Sequence, residues 1–581
     1  MNTLLLGLRV LLFALSTFGY LTVLHKKTKL PVEFLPAIVF CGQICVLFAA
    51  GILNLLSLSV WLLFGAGLLL AVLSLRDHRL YRDFLCPGYV FFALSCLYFL
   101  LMLKGQVFNS YDNFSHWALV VKQMLLTDRF PTFQDPLILF QAYPLGSSSF
   151  IYYVCCLISR VSEGCQMFAQ VMLSLSMILP LFSCIRKQRF TGILLMLGSA
   201  LFFLSYNTVP SELLVDALLA LTGAAALLLL EQELGAEDQT AWLSVLPAVA
   251  LILIKNSGIF FWALLAGKLI WYACRHGKTA SAPARRSWYT VFFAPLLTLL
   301  LWKKHVAYVF AAAESSPHSM SLSAYLANMQ QKMADGSISR ITEAFRQQLI
   351  AGRGLLLLLL LLLLVLAVFM AACAMHKLSV RPWLGRAVFL TVVYVLYQLG
   401  NLCMYLFSMP EGEAVVMAGY GRYYRTIIMF CFAYALFYLL RELDEQKLPL
   451  AVIGTLLLLL VYRKLGMSTS ILHRTGEYPV RAEMERLMDE YDVEHYQDYL
   501  ICIPEDDMGY VYHLTKYLLY TPTVDVHVGV SSEDEFADIV NIAIDLEYEY
   551  FINLDPENEA IDQYCQKAFG AAPGQQVIRL Q

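Results

Sequence analysis

The sequence SYDNFSHWALVVKQMLLTDRFPTFQDPLILFQAYPLGSSSF, residues 110–150, is the longest stretch in the first half of the chain that is both polar and aromatic. It follows the apolar run Cys86 to Leu103 and precedes further long apolar segments. A carboxylate beside a histidine is costly to hold at a membrane surface, and residues of this kind usually have a function. The stretch therefore predicts the mouth of a site that faces away from the cytoplasm.

The rest of the chain is predominantly apolar, since 59% of its 581 residues are hydrophobic and only 15% are charged. Nearly uncharged segments recur that are about long enough to cross a ~30 Å hydrocarbon core as helices, which satisfy their own backbone hydrogen bonds. They predict a polytopic transmembrane helix bundle, mainly α, with about 14 spans. The predicted spans are 4–24, 34–54, 57–75, 86–103, 166–185, 190–206, 212–231, 241–255, 258–274, 288–303, 353–375, 387–408, 426–440 and 448–463.

Basic residues predict the orientation of these spans, because short cytoplasmic loops carry an excess of Lys and Arg. The loops that are basic and should be cytoplasmic are 25–29, 76–82, 186–189, 275–286 and 376–386. All of them fall on one side only if Leu145 to Ser159, a short aromatic segment behind Pro144, does not cross the membrane. We therefore predict a juxtamembrane helix there, in the outer interface of a multi-pass cell-membrane protein. The loops 104–165 and 304–352 should then lie outside the cytoplasm.

The chain changes composition after the predicted transmembrane domain 1–463, where a predicted extracytoplasmic domain 464–581 begins. From Leu465 onward there are 23 Asp or Glu against 6 Lys or Arg, whereas the remainder has 21 against 35. A basic membrane part with an acidic tail argues against nucleic acid as a partner. The 14 cysteines have neither metal-ligand spacing nor the density of a disulfide framework.

Helix and strand signals alternate in the domain 464–581. The predicted helices are 483–491, 511–520, 533–546 and 557–569, and the predicted strands are 499–503, 524–530 and 550–553. This alternation predicts a small α/β domain with a parallel sheet. No Gly-rich phosphate loop follows any of these strands, so nucleotide binding is not expected. In the loop 304–352 the sequence predicts one or two amphipathic helices, broken at Asp335-Gly336.

Acidic residues near the predicted outer ends of spans are candidate catalytic groups. Asp112 could be a general base that removes a proton from a hydroxyl, or a helix cap. His116 is four residues further on and would share its helical face, where it could orient Asp112, bind substrate or serve in a metal site. Trp117 fits an interfacial anchor or a sugar-stacking surface. Asp135 precedes Pro136 and is most simply a turn residue, with catalysis as the alternative.

A second acidic pair, Glu212 and Asp216, has the same spacing at the outer end of the predicted span 212–231. Two carboxylates on one helical face could assist a base or bind a divalent cation through oxygen ligands. Glu212 could equally begin the helix, where a carboxylate suits the helix dipole. The residue pattern thus leaves a divalent cation open as a cofactor and identifies no metal ligand.

Three basic residues lie on the predicted outer side, against the usual bias of Lys and Arg towards the cytoplasm. Lys255 ends a predicted span, and Arg422 and Arg425 belong to the sequence GYGRYYR. Arginine binds phosphate through paired hydrogen bonds, and the glycines beside Tyr420 let backbone and ligand approach closely. Lys255 could instead extend its ammonium group to the interface. The three cations are candidate phosphate ligands.

The acidic and aromatic outer loop, Tyr-Pro-Leu-Gly at 143–146 and the outer Arg-Tyr at 422–423 make residues 86–440 resemble the GT-C superfamily. These are membrane glycosyltransferases that use sugars linked to polyprenyl phosphate. The resemblance implies a helix bundle of GT-C type with outer juxtamembrane helices. It also implies that Asp112 is the catalytic carboxylate, that Tyr143 opens the juxtamembrane motif, and that Lys255 and Arg422 bind the lipid phosphate.

The resemblance therefore predicts a glycosyltransferase that moves a hexose or pentose from polyprenyl phosphate to a cell-surface glycan or lipid, with inversion. Asp112 would deprotonate the acceptor while Arg422 and Lys255 stabilise the leaving phosphate. The alternative is a flippase or transporter of lipid-linked glycans. Transporters place ionisable residues near mid-membrane, often in repeated halves. Here the charged candidates cluster at the predicted outer face, which favours the enzyme.

Overall fold

The structure is a computed structural model that describes most of the chain. The described residues are 3–75, 78–185, 190–206, 209–311, 322–351, 355, 359, 381–443, 471–476 and 478–580. Outside them lie the predicted span 448–463, the basic loop 186–189, parts of the loops 76–82 and 376–386, and the predicted span 353–375 apart from Leu355 and Leu359. The predicted domain boundary between residues 463 and 464 also lies outside the described residues.

Helices make up most of the described chain. Numbered in chain order, they are α1 Thr3–Lys27, α2 Leu35–Ile52, α3 Leu56–Ser74, α4 His78–Asp83, α5 Pro87–Met102, α6 Ala118–Thr127, α7 Gly146–Leu157, α8 Glu163–Ile178, α9 Phe190–Tyr206, α10 Asp216–Leu234, α11 Val245–Ile254, α12 Gly258–His276, α13 Ala282–Val309, α14 Leu322–Ala334, α15 Ser337–Ala351, α16 Arg381–Phe407, α17 Glu411–Val415, α18 Tyr420–Leu443, α19 Pro479–Glu490, α20 Tyr510–Leu519, α21 Glu533–Asp545 and α22 Glu559–Phe569. Shorter turns are the 3-10 helices Val32–Phe34 and Leu179–Cys184 and the π-helical turn Asn113–Trp117.

Nine helices among the described residues are long and apolar enough to cross a membrane, by length and composition. They are α1, α2, α3, α8, α10, α12, α13, α16 and α18. The predicted spans 86–103, 190–206 and 241–255 form the helices α5, α9 and α11, which have 16, 17 and 10 residues. These apolar helices indicate a mainly helical, multi-pass membrane protein, and the predicted count of about 14 spans is not confirmed.

Two compact units divide the chain, and the first contains Met1–Gly105, Met124–Phe130 and Phe140–Arg474. Its helices α8 and α10 are buried over nearly all of their length. Both are apolar around most of their circumference, which is the pattern of a helix enclosed by others. Helix α10 packs against α8, α11, α12 and α18. These neighbours include the two helices on either side of Lys255 and the helix that contains Arg422.

The predicted juxtamembrane segment is α7, which has 12 residues and packs against α2, α8 and α11. Eleven of its residues are buried. A Cβ atom at Gly146 would lie 2.6 Å from the Leu253 carbonyl oxygen, so glycine is required for this close approach of α7 to α11. The contact joins two points of the site described below, because α7 begins just after Tyr143 and α11 ends just before Lys255.

The loop 304–352 contains two helices, α14 and α15, and the predicted break between them at Asp335-Gly336 is confirmed. Gly336 has a φ of +67°, a left-handed conformation that glycine adopts without steric cost. The buried Lys332 of α14 donates hydrogen bonds to the carbonyl oxygens of Tyr405 at 2.7 Å and Leu406 at 3.2 Å. A lysine thus satisfies the last carbonyl groups of α16, where a positive charge also suits the helix dipole.

The second unit contains Gln106–Gln123, Pro131–Leu139 and Thr475–Gln581, so it combines the C-terminal residues with two parts of the loop 104–165. Its strands are β1 Tyr499–Ile503, β2 Val524–Val528, β3 Tyr550–Asn553 and β4 Val577–Arg579. The strand order is β2-β1-β3-β4, with the first three parallel and β4 antiparallel to β3. The predicted parallel sheet is confirmed at all three predicted strands, and β4 is an addition.

The helices of the sheet domain also follow the sequence pattern. The predicted helices appear as α19, α20, α21 and α22, with small shifts at their ends. Strand β1 is buried at every position, as expected for an inner strand of a parallel sheet covered on both faces. Phe536, Phe551 and Ile561 are fully or almost fully buried and form part of the core between the sheet and its helices.

Candidate functional site

Helix α10 begins at Asp216, so the predicted span 212–231 starts four residues later than expected. Glu212 lies in the turn before the helix, and its N–H donates to the Val209 carbonyl oxygen at 2.9 Å. Glu212 and Asp216 therefore do not form the helical i, i+4 pair that their spacing predicts. The carboxylate that begins the helix is the buried one of Asp216, where it suits the positive end of the helix dipole.

Lys255 follows directly after α11, in extended backbone with φ −158° and ψ 148°. Its Nζ atom lies 2.7 Å from Oδ1 of Asp216, and the two side chains are only 16% and 5% exposed. Gly258 begins α12 three residues later, and a Cβ atom there would lie 1.9 Å from the Leu251 carbonyl oxygen. Glycine thus allows the tight turn between α11 and α12 that aims Lys255 at the start of α10.

The second oxygen of the Asp216 carboxylate is also buried, and it accepts no hydrogen bond from the residues that the structure describes. The positive charge of Arg422 acts on the same carboxylate. The ammonium group of Lys255 lies 5.3 Å from the centre of the Tyr423 ring, within range of a cation–π interaction. The fold therefore brings Asp216, Lys255 and Arg422 together from three distant segments. They form one polar group around the buried carboxylate of Asp216.

Arg422 lies near the start of α18, behind the left-handed Gly419, which has a φ of +70°. A Cβ atom at Gly419 would lie 3.2 Å from the Tyr423 hydroxyl oxygen and 3.4 Å from a guanidinium nitrogen of Arg422. This glycine therefore provides both the turn into α18 and the space for the two polar side chains. Arg425 is exposed, and its guanidinium carbon lies 5.8 Å from the centre of the Tyr206 ring.

Tyr143 belongs to the same polar group. Burial raises the pKa of its phenol, the Asp216 charge adds to the increase, and Lys255 and Arg422 oppose it. The phenol is therefore protonated at neutral pH and can donate a hydrogen bond. The loop before it is held by Ala142, whose carbonyl oxygen accepts from the Asn256 side chain at 3.2 Å and the Trp302 indole at 3.1 Å.

This group, which we call the Asp216 cluster, consists of Asp216, Lys255, Arg422, Tyr143 and Tyr423. Two cations and one carboxylate leave a net charge of about +1 in a mostly buried environment, beside phenol hydroxyls that can donate hydrogen bonds. Such a site suits an anion with one negative charge and several oxygen acceptors. Four members are residues selected from the sequence, and the fifth, Tyr423, adjoins one of them in GYGRYYR.

The remaining candidates belong to the second unit. Asp112 is partly buried and directly precedes the π-helical turn Asn113–Trp117, so the predicted α-helical spacing to His116 is replaced by a wider turn. Turns of this kind occur frequently at functional sites. His116 is 5% exposed, and burial lowers its pKa to about 3, so its imidazole is neutral at physiological pH. Trp117 is 6% exposed and contacts the His116 ring, which leaves little of its surface for stacking on a sugar.

Asp135 has the turn role that its position before Pro136 suggests. Its carboxylate accepts the backbone N–H of Thr132 at 2.7 Å and the Thr132 hydroxyl at 3.3 Å. The side-chain amide of the buried Gln123 donates to its other oxygen. These bonds satisfy a buried carboxylate within its own turn, and they give Asp135 a structural role.

The described residues contain no group of three or more His, Cys, Asp or Glu side chains that could hold a metal ion. Comparisons of the chain with protein-family models, with curated proteins and with solved structures found no match.

Proposed function

We propose that this protein is a membrane glycosyltransferase of GT-C type that transfers a sugar from polyprenyl phosphate to a hydroxyl of a cell-surface glycan or lipid. The observation that supports this most directly is the Asp216 cluster, where Lys255 and Arg422 act on one buried carboxylate. The net positive charge of the cluster matches the single negative charge of a phosphodiester. A sugar linked to polyprenyl phosphate carries such a diester, next to hydroxyl groups and a lipid chain.

The phosphate charge increases during the proposed reaction. When the bond between sugar and phosphate breaks, the departing polyprenyl phosphate becomes a monoester with a second ionisable oxygen. Cations beside this oxygen bind the transition state more strongly than the donor, and only such a difference accelerates the reaction. Arg422 offers paired N–H donors, Lys255 offers a point charge, and the protonated Tyr143 phenol donates a further hydrogen bond.

Asp216 has a positioning role in this proposal. Its Oδ1 atom holds the Lys255 ammonium at 2.7 Å, which fixes the direction in which this mostly buried side chain points. Its Oδ2 atom is fully buried and accepts no hydrogen bond from a described residue, so the role proposed for Asp216 is to orient the cation.

Asp112 is the proposed general base, as the resemblance to GT-C enzymes implies. Its carboxylate takes the proton of the acceptor hydroxyl while the acceptor oxygen attacks the anomeric carbon. The bond to phosphate breaks on the opposite face, and its electron pair leaves with polyprenyl phosphate. The new glycosidic bond has inverted configuration.

We propose that the reaction takes place on the extracytoplasmic side. That orientation puts the five basic loops in the cytoplasm, in agreement with the distribution of Lys and Arg in membrane proteins. It also gives a lipid-linked donor and a cell-surface acceptor access to the same membrane face.

The test is donor turnover by the full-length protein in lipid nanodiscs. Incubation with a radiolabelled polyprenyl-phosphate sugar and a cell-surface glycan fraction should release free polyprenyl phosphate, whereas a flippase would leave the donor intact. Arg422→Ala should raise the donor KM and lower kcat, so that kcat/KM falls about ten- to a hundredfold, because hydrogen bonds to charged groups contribute about 1.5–3 kcal/mol. Arg422→Lys should retain part of the donor binding that Arg422→Ala loses, since lysine keeps the charge and lacks the paired donors.

The matched control is Arg425→Ala, which removes an exposed arginine one turn further along the same helix. It should leave the donor KM unchanged. Release of no polyprenyl phosphate with any donor would exclude the proposed function. An unchanged KM in Arg422→Ala would remove Arg422 from the phosphate site.

A further inference from the structure

Residues 106–123, which we call the Asp112 segment, are held on both sides of Asp112 by residues from the C-terminal part of the same unit. The backbone from Gln106 to Ser110 has no regular secondary structure, so it cannot set its own conformation through helix or sheet hydrogen bonds. Its conformation must therefore come from contacts with other residues. The hydrogen bond from Arg481 to Phe108 is buried, whereas those made by Asn109 are exposed.

Arg481 makes the most deeply buried of these contacts. Its side chain is 3% exposed and its guanidinium group donates to the carbonyl oxygen of Phe108. The same guanidinium pairs with Glu485 at 2.8 Å, one turn further along α19. A buried cation is stable only when it is paired and hydrogen-bonded, and removing Arg481 takes a charged hydrogen-bond donor away from the Phe108 carbonyl oxygen.

Polar contacts continue along the segment towards Asp112. The side-chain amide of Asn109 donates to the Gly476 carbonyl oxygen at 3.0 Å, and its oxygen accepts the Tyr478 N–H at 3.3 Å. The Tyr111 hydroxyl lies 3.1 Å from Nε2 of His513. The residue directly before Asp112 is thus tied to helix α20.

Beyond Asp112 the contact is aromatic. Phe114 is fully buried, and its ring centre lies 5.7 Å from that of Tyr510 and 5.2 Å from that of Tyr517, both in α20. The guanidinium carbon of Arg481 lies 5.8 Å from the centre of the same ring. Lys122 completes the contact, since its ammonium lies 4.6 Å from the centre of the Tyr517 ring.

We infer that the sheet domain formed by residues 475–580 positions the Asp112 segment, and that Arg481 is the positioning residue on which this depends most. The domain acts as a scaffold for the segment, and the contacts of Arg481, Asn109 and Tyr111 set the backbone that presents Asp112. This inference rests on the proposed function only for its effect on sugar transfer. The structural part stands without it.

Hydrogen–deuterium exchange of the full-length protein in nanodiscs tests the inference. Arg481→Gln should accelerate amide exchange in residues 108–117 by about tenfold or more, because the segment loses a buried hydrogen bond that limits its local opening. The matched control is Arg486→Gln on the same helix, since Arg486 is exposed and contacts Glu483, Glu490 and Gln576 within the sheet domain. It should leave exchange in residues 108–117 unchanged.

Two milder variants test the inference if Arg481→Gln does not fold. Asn109→Ala and Tyr111→Phe each remove one contact at the edge of the segment and should accelerate the same amides by a smaller factor. Unchanged exchange in all three variants overturns the inference. Faster exchange with unchanged sugar transfer keeps the positioning role and shows that local opening of the segment does not limit the reaction. Faster exchange with a lower kcat and an unchanged donor KM supports both the positioning role of Arg481 and the participation of Asp112 in the reaction.

Discussion

The Asp216 cluster and the Asp112 segment are assembled in opposite ways. The cluster draws its residues from four places, Tyr143, Asp216, Lys255 and Arg422, each at or near the end of a helix. The Asp112 segment is one continuous stretch whose supporting contacts come from far along the chain, as with Asn109 and Gly476, which are 367 positions apart. A stretch rich in functional residues thus depends on distant partners, while scattered residues can form one compact site.

The two regions also differ in how charge and stability are connected. In the Asp216 cluster the cation and anion are buried together, so each requires the other. The buried cation that contacts the Asp112 segment is Arg481, which binds the Phe108 carbonyl oxygen and the half-exposed Glu485. Substitutions in the cluster should therefore change folding and donor binding together, whereas a substitution at Asp112 should change the reaction alone.

The largest expected effect is that of Asp112→Asn on turnover. Asparagine keeps the volume and one acceptor oxygen and cannot take a proton, so sugar transfer should fall about 10²–10⁴-fold. Loss of a helix cap would cost only about 1 kcal/mol of stability. Turnover and thermal unfolding measured on the same preparation separate the two roles.

The outcome of Asp112→Asn decides which region supplies the base. Turnover above about a tenth of the original would exclude a general base at Asp112. Asp216→Asn measured alongside it would then show whether the cluster supplies the base, because a positioning role for Asp216 predicts a higher donor KM as well as a lower kcat.

The next largest effect concerns the stability of the ion pair. Lys255→Ala leaves the Asp216 carboxylate buried with its closest cation removed, and breaking a buried pair in this way costs about 3–5 kcal/mol. The double variant Lys255→Met with Asp216→Leu replaces both charges with apolar groups and should recover most of the lost stability. Thermal unfolding in nanodiscs measures both. A double variant as unstable as Lys255→Ala would contradict the account of the pair.

The sheet domain was predicted well from the sequence because the patterns that indicate its strands and helices are local. Buried apolar runs such as Tyr499–Ile503 and Tyr550–Asn553 lie between helices with clear periodicity, and the observed strands have the same bounds. Strand β4 was missed because three residues near the end of a polar stretch carry too little periodicity. The Asp335-Gly336 break was predictable because a positive φ has a residue signature, glycine.

The site was only partly predictable, because its geometry depends on packing. The acid–lysine contact between Asp216 and Lys255 joins residues 39 positions apart, and no spacing rule connects them. The pairing proposed from spacing, Glu212 with Asp216, fails because the chain enters α10 only at Asp216. The anomalous outer cations were a useful signal, since both Lys255 and Arg422 belong to the cluster.

The smallest expected effect is a pH dependence confined to the Asp112 segment and the sheet domain. Burial lowers the pKa of His116 to about 3, and burial together with Lys516 lowers that of His513 to about 4, both below the usual value near 6.5. Each imidazole is neutral when folded, so its stabilising effect is complete above pH ~6.5 and is lost as the pH falls towards the folded-state pKa. At pH ~5.5 the titration of each histidine should have lowered the free energy of unfolding of the second unit by about 1 kcal/mol.

Limited proteolysis within residues 475–580 should therefore accelerate between pH 7.5 and pH 5.5, and His513→Gln should reduce the acceleration by removing one titrating group. Equal acceleration in the original protein and in His513→Gln would show that the pKa of His513 is the same in the folded and unfolded states. Protonation of His513 would then not destabilise its contact with Tyr111 or loosen the Asp112 segment.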